Sequence, residues 1–451
     1  VPDKGITIFG RNFVLFVMSV LFYAWGEPVY VLLMLAQILT SYVLTWLTDL
    51  FINTYNNKVA GRIFYILSVV LPFGVLFYYK FSPTLPIGIS FYTFQITSYC
   101  IDVYYGRVKR QKNLITYATY VTLFPQLVAG PIVRYADVER ILVGGIDKSK
   151  IYENFDRGIA RFAVGLGKKV LIANVIGEFV TEAAGVGVRT VWLSWAYAIA
   201  VSLQIYFDFS GYSDMAIGLG AMLGFDFPEN FRYPFIAKSV SEFWRRWHIT
   251  LGAWFRDYVY IPLGGNRVRF ARWIFNVFVV WFFTGMWHGA GWNFILWGLY
   301  FAVFLVVEKI YRRLSQSGLN KLGHIYLVVV IMVSFLIFNA DNISMAWRDI
   351  VSLVRPMGVL EGENIRECSF ILKNRIGILI IGIIGATPLP ALVWGKASRW
   401  VKVASSKTGS IAVYAVRTLH AVRIFCVLAL LVLCTAYIID GSFNPFLYFR
   451  F

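Results

Sequence analysis

Long apolar runs alternate with short polar stretches along almost the whole chain. Such runs read as membrane spans when they approach roughly 20 residues. Phe13 to Trp25 is short for a span, and because the chain starts at Val1 rather than Met, the expectation is that it has lost its beginning. The rest of that terminus does not resemble a cleavable signal. Val29 to Leu47 is a full span, Ile63 to Tyr79 returns, Lys80-Phe81-Ser82-Pro83 turns, and Leu85-Pro86 opens a fourth that ends at Tyr105. Further spans are expected from Val191 to Leu223 (long enough to be broken or paired), Trp273 to Met286, Trp292 to Val307, Ile325 to Phe338, Ile376 to Trp394 and Ile424 to Ile439.

Between these runs the pattern changes. Tyr117 to Tyr135 is apolar but interrupted by Pro125, Gly130 and Pro131. Proline removes a donor and clashes with the preceding turn, so either a re-entrant element or a kinked span fits. Ile151 to Lys169 is amphipathic and basic, hence interfacial, and Val170 to Val180 continues inward. Ser239 to Tyr258 reads as one interfacial helix. At about 100° per residue, Phe243, Trp247, Leu251, Trp254, Phe255 and Tyr258 share an arc of about 120°, with Arg245, Arg246, Arg256 and Asp257 outside it. Pro262 to Arg267 is a tight turn. Glu308 to Lys321 is charged and expected in the cytoplasm, Asn339 to Cys368 is an outward-facing polar loop, Lys396 to Lys407 is basic again, and the tail from Gly441 to Phe451 ends outside. No internal repeat is visible.

Composition agrees: 59% of the 451 residues are hydrophobic and only 15% charged, against about 25% charged in soluble domains. The chain therefore reads as one all-α, polytopic membrane domain over residues 1–451, with about eleven transmembrane helices plus re-entrant and interfacial ones. The net charge of +18 does not point to nucleic acid. Basic residues cluster in alternate short loops (around 58–62 and 107–112), while 26–28 and 81–84 are poor in charge. That places the basic loops in the cytoplasm and makes anionic lipid headgroups the partner. Four cysteines form no CxxC pair and no metal spacing.

Candidate chemistry centres on Thr284-Gly285-Met286-Trp287-His288-Gly289-Ala290-Gly291-Trp292. A titratable imidazole is expensive in hydrocarbon and tends to face a bundle interior or wet cavity. The glycines leave room for a neighbouring helix or a thin substrate. Of the four histidines, His324 and His420 sit at the ends of apolar runs, whereas His248 and His288 lie in aromatic, glycine-marked surroundings. A GxSxG elbow, a P-loop, HExxH and a dinucleotide fingerprint are all missing. The histidines lie far apart in sequence with no carboxylate at ligand spacing, so a metal site is not expected. That leaves histidine as general base, or as a hydrogen-bonded core residue. A neutral imidazole, with an unperturbed pKa of ~6.5, takes a hydroxyl proton as the hydroxyl attacks a thioester, and burial keeps it neutral. Asp208 and Asp214, in Tyr206-Phe207-Asp208-Phe209-Ser210-Gly211-Tyr212-Ser213-Asp214, are either functional buried acids or helix caps after a break.

These segments resemble the membrane-bound O-acyltransferases, most closely integral membrane subunits of the bacterial alginate O-acetyltransferase type. The resemblance rests on Leu85 to Tyr92, Phe124 to Pro131, Tyr206 to Gly218, Glu242 to Ile249, Arg256-Asp257-Tyr258, Leu263 to Arg267, Trp287 to Ala290, and the ending Asn444-Pro445-Phe446 and Tyr448 to Phe451, in that order. It implies a ring of helices around a central tunnel in a bacterial inner membrane. It makes His288 the catalytic histidine and His248 its supporting one. Trp287, Trp292, Trp244, Arg245, Asp208, Ser210, Tyr212, Asp214, Arg256 and Asn266 become candidates for lining the tunnel or binding substrate. It further implies an acyl thioester co-substrate (acetyl-CoA) with no tightly bound cofactor, a polysaccharide acceptor, and a partner of SGNH-hydrolase-like fold. D-alanyl transfer to teichoic acid is the alternative within the family. A proton-coupled transporter using the same histidine pair is the alternative outside it, although the paired half-repeats frequent in transporters are not found.

Overall fold

A computed structural model describes residues 5–314, 322–407 and 410–441, and among these every regular element is helical. In chain order the α-helices are α1 (Gly5–Gly26), α2 (Tyr30–Asp49), α3 (Lys58–Lys80), α4 (Ile89–Tyr104), α5 (Leu114–Thr122), α6 (Phe124–Leu127), α7 (Tyr135–Gly144), α8 (Ile151–Gly167), α9 (Val175–Gly185), α10 (Val191–Met222), α11 (Val240–Phe243), α12 (Ile249–Phe255), α13 (Phe270–His288), α14 (Trp292–Leu314), α15 (Gly323–Asn339), α16 (Ile343–Ser352), α17 (Gly362–Gly385), α18 (Leu389–Lys407) and α19 (Ser410–Asp440). Seven helical segments among the described residues are long and apolar enough to cross a membrane, from Thr7–Gly26 to Arg417–Asp440, and α15 is a shorter apolar helix. Large apolar side chains such as Phe22, Leu32, Ile381 and Val432 stand exposed on them, as a hydrocarbon surround allows.

The chain packs as two compact units. The first comprises Val1–Ile159, Ala216–Asn230 and Ile249–Asn276. Its centre is α4, buried from Ile89 to Asp102 and packed by α2, α3 and α5. Hydroxyls on α4 that would be costly in an apolar core bond to their own helix, Thr97 to the Thr93 carbonyl and Ser98 to the Gln95 carbonyl. Gly88 starts this helix in the left-handed region (φ 76°), with its α-carbon so close to the Leu127 carbonyl that a side chain would collide. Trp254 stacks on Phe94 at 3.9 Å and donates its indole N–H to the Phe94 carbonyl.

The second unit comprises Ala160–Met215, Phe231–His248 and Val277–Phe451. Arg375 joins α17 to Glu178 and Glu182 on α9, and Arg189 pairs with buried Asp349 on α16. The α13–α14 hairpin closes backbone to backbone: a side chain at Gly298 would strike the Trp281 carbonyl, and one at Gly285 the Phe294 carbonyl. Gly285 of the central motif thus admits the next helix.

Several expectations change. The first apolar run belongs to a helix of 22 residues, long enough to cross a membrane. The proline-marked stretch is broken, with helix lost between α6 and α7. Val191 to Met222 is one continuous helix of 32 residues, so Asp208 and Asp214 lie in its interior and cap nothing. Ser239 to Tyr258 is two short helices, α11 and α12, followed by a π-helical turn Arg256–Tyr260. The six apolar positions are buried all the same, because the burial pattern survives a break the periodicity did not foresee. The loop after Asn339 contains α16, and α17 begins at Gly362 rather than Ile376. The end of the charged stretch (through Lys321) and the C-terminal motif Asn444 to Phe451 lie outside the described residues.

Replacing Gly298 by Ala is expected to destabilise the protein by about 1–3 kcal/mol, since a methyl group has no room against the Trp281 carbonyl. Thermal unfolding in detergent measures this, and an unchanged melting temperature contradicts the hairpin packing described.

Candidate active site

His288 is the last residue of α13, and it is only 6% exposed. Three rings stand nearly perpendicular to its imidazole: Trp287 at 4.8 Å, Trp297 at 5.0 Å and Phe338 at 5.2 Å between centroids. Edge-to-face packing from three rings fixes the ring plane. His248 lies in the chain between α11 and α12 and is buried, with Phe209 at 4.7 Å, Phe231 at 6.5 Å and Trp287 at 6.0 Å. Trp287 is therefore the indole shared by the two imidazoles, which the sequence placed 40 positions apart.

The backbone at His248 is unusual. Its φ is 41°, in the left-handed region that costs a residue with a side chain about 1–2 kcal/mol. Tyr233, near the other end of the same segment, has φ 48°. The two ends are tied where the Arg232 amide donates to the Arg246 carbonyl at 2.9 Å. Such strain persists only where surroundings over-determine it, and it concentrates at functional sites.

Trp244 packs with Trp281 (4.5 Å), Trp297 (5.7 Å) and Phe301 (5.0 Å). The indole nitrogens of Trp244 and Trp297 are buried without an acceptor among the described residues. Glu308, the first residue of the charged stretch, is 2% exposed on α14. Its carboxylate accepts the Val240 amide, the Ser241 amide (3.2 Å) and the Ser241 hydroxyl (2.9 Å), and pairs with Arg312. Its position was readable. Phe294, Trp297, Phe301 and Glu308 fall on one helical face, and all four are buried. Trp281, Trp297, Phe301 and Phe338 were also missed, because nothing in an apolar helix marks which ring meets a distant histidine.

The acids of α10 lie within reach of neighbouring helix α8 and the π-helical turn after it, Lys168–Asn174. Lys169 pairs with Asp208, both nearly buried, while Asp214 takes Lys168 at 2.6 Å and Arg161 at 2.8 Å. Close approach makes this possible: a side chain at Gly165 or Gly211 would collide with the other's carbonyl. Asp208 precedes Phe209, the ring on His248, so the ion pair is made one residue away from that contact. Ser210 is buried and Tyr212 half-buried on the same helix.

The remaining expected residues have the following surroundings. Trp292 is 70% exposed. Arg245 is exposed and bonds the Ser241 carbonyl. Arg256 and Asn266 belong to the first unit. Arg256 pairs with Asp257 at 2.6 Å, and Asn266 accepts the Tyr260 hydroxyl at 2.8 Å. Partial burial pulls the Asp257 carboxyl up, but Arg256 and Arg134 outweigh this and hold it below the usual carboxylate range. The second unit also has an apolar cavity of about 240 Å³ walled by Leu203, Phe235, Ile331 and Met332. Its polar wall residues Ser202, Thr387 and His324 each bond a backbone carbonyl, so His324 serves structure there.

Residues 105–347 match the family model described as MBOAT, membrane-bound O-acyltransferase family. The chain is 36% identical over 360 residues to the probable alginate O-acetylase of Azotobacter vinelandii, covering 75% of this chain and 71% of that one. It is 35% identical over 269 residues to the peptidoglycan O-acetyltransferase of Helicobacter pylori, covering 58% and 51%. It is 29% identical over 221 residues to the teichoic acid D-alanyltransferase of Bacillus subtilis, covering 47% and 56%.

Removing one partner of the Lys169–Asp208 pair, as Lys169→Ala or Asp208→Ala, is expected to cost about 3–5 kcal/mol, and Lys169→Met with Asp208→Leu much less. Unfolding of the three proteins in detergent checks this. A double variant as unstable as the singles contradicts an ion pair whose cost lies in the orphaned charge.

Proposed function

The chain belongs to the membrane-bound O-acyltransferase family, and from that premise we propose that it transfers an acetyl group from a cytoplasmic thioester to hydroxyls of an extracytoplasmic polysaccharide, with His288 as general base. The observation that carries this reading is the pair of buried imidazoles that share Trp287. The transferred group follows the relatives: the acetyl-transferring ones match more of the chain, at higher identity, than the D-alanyltransferase.

In the proposed step the acceptor hydroxyl gives its proton to neutral His288 while its oxygen attacks the thioester carbonyl carbon. The C–S bond breaks, the sulfur leaves with the proton returned by the imidazolium, and the products are an ester and a free thiol. Negative charge develops on the carbonyl oxygen, and preorganised donors stabilise it. The indole N–H groups of Trp244 and Trp297 are buried donors in this cluster without a protein acceptor among the described residues. His248 orients the acceptor or shares its proton. Acetyl-CoA is the donor we favour. Handover to an SGNH-hydrolase-like partner is the route by which the acetyl group reaches the polymer when transfer is not direct. The protein then resides in a bacterial inner membrane.

His288→Gln is expected to lower acetyl-ester content of the surface polysaccharide at least 100-fold, the scale of a lost general base, at unchanged protein level in the membrane. Mass spectrometry of the polysaccharide measures it, and wild-type ester content removes His288 from the chemistry.

A further inference from the structure

The carboxylate of Glu308 is buried on α14 where that helix turns from apolar to charged, and no step of the proposed reaction uses it. A buried carboxylate is costly unless its oxygens are satisfied, and here both are committed to one target. Oε1 takes the Val240 amide, while Oε2 takes the amide and hydroxyl of Ser241. Arg312, one turn further along α14, supplies the countercharge at 3.0 Å. The first amides of a helix have no partner within it. In α11 the third is taken by the Ser239 hydroxyl, which accepts from the Glu242 amide at 3.1 Å. Glu308 is therefore the cap that α11 borrows from another helix.

The segment that presents His248 comes directly after α11. Trp244 packs on Trp297 and Phe301, which lie on the same face of α14 as Glu308. Trp247 packs on Phe335 at 5.0 Å, and His248 then takes its left-handed backbone. We propose that Glu308 is a positioning residue for His248: by capping α11 from α14, it holds the Trp244–His248 turn at the height where His248 meets Trp287. It touches no substrate, and its effect on activity rests on the proposed acyl transfer.

The full-length chain with ¹⁵N-labelled histidine in lipid nanodiscs provides a test that does not depend on activity, because only four imidazoles are present. The His248 signal is assigned by its loss in His248→Asn. Glu308→Ala is expected to move or split that signal while leaving His420 on α19 in place. Glu308→Gln, which keeps one accepting oxygen, is expected to move it less. In cells, Glu308→Ala is expected to lower acetyl-ester content 10- to 100-fold, with Glu308→Gln intermediate. If Glu308→Ala does not accumulate, Glu308→Gln and Ser241→Ala carry the same comparison. An unmoved His248 signal overturns the positioning role, as does a disturbance spread equally over all four histidines. An altered His248 signal with wild-type ester content, alongside an active His288→Gln, leaves the positioning intact and sinks the proposed acyl transfer instead.

Discussion

The first backbone amides of a helix have no partner within it and must find acceptors elsewhere. The candidate catalytic region depends on how this is solved between Phe231 and His248. The Arg232 amide goes to the Arg246 carbonyl, the Glu242 amide to Ser239, and the Val240 and Ser241 amides to one buried glutamate. With these donors committed, the turn bearing His248 is tied at several points, and a left-handed histidine persists in it.

Around that turn the packing is aromatic. Tryptophan and phenylalanine rings fill large volumes with few torsions, and their edge-to-face preference fixes angles as well as distances. Trp287 contacts both histidines, Trp297 connects His288 to Trp244, and Phe209 holds another side of His248. Rings packed on several sides restrain both imidazoles without adding charge. On the α10 side, Lys169 neutralises Asp208, and Lys168 and Arg161 neutralise Asp214.

Comparison with the acetyl- and D-alanyl-transferring relatives places the chain in a family whose members differ in the group moved.

Much of this was legible in the chain itself. Apolar runs of span length, basic loops in alternation and scarce charge established a polytopic helical membrane protein, since hydrocarbon leaves few other solutions for a backbone. The motif around His288, and the burial of Phe243, Trp247, Leu251 and Trp254, were also readable from residue type and spacing. Which residues meet was decided by the tertiary structure alone. Ser239 to Tyr258 has the period of one helix, yet it breaks at His248. A carboxylate on α14 takes the Val240 and Ser241 amides, and the Asn230 carbonyl takes the Ile249 amide, so the segment restarts as a second helix. Asp208 and Asp214 read as helix caps or functional buried acids, and only the fold shows that α8 and the turn after it bring cations to them. Trp292 looked like a wall and is exposed, whereas Trp297, one of many apolar helix residues, packs on the histidine. Local sequence encodes helix and face, but hydrogen bonds and ring contacts between distant segments are settled by which faces the packing brings together.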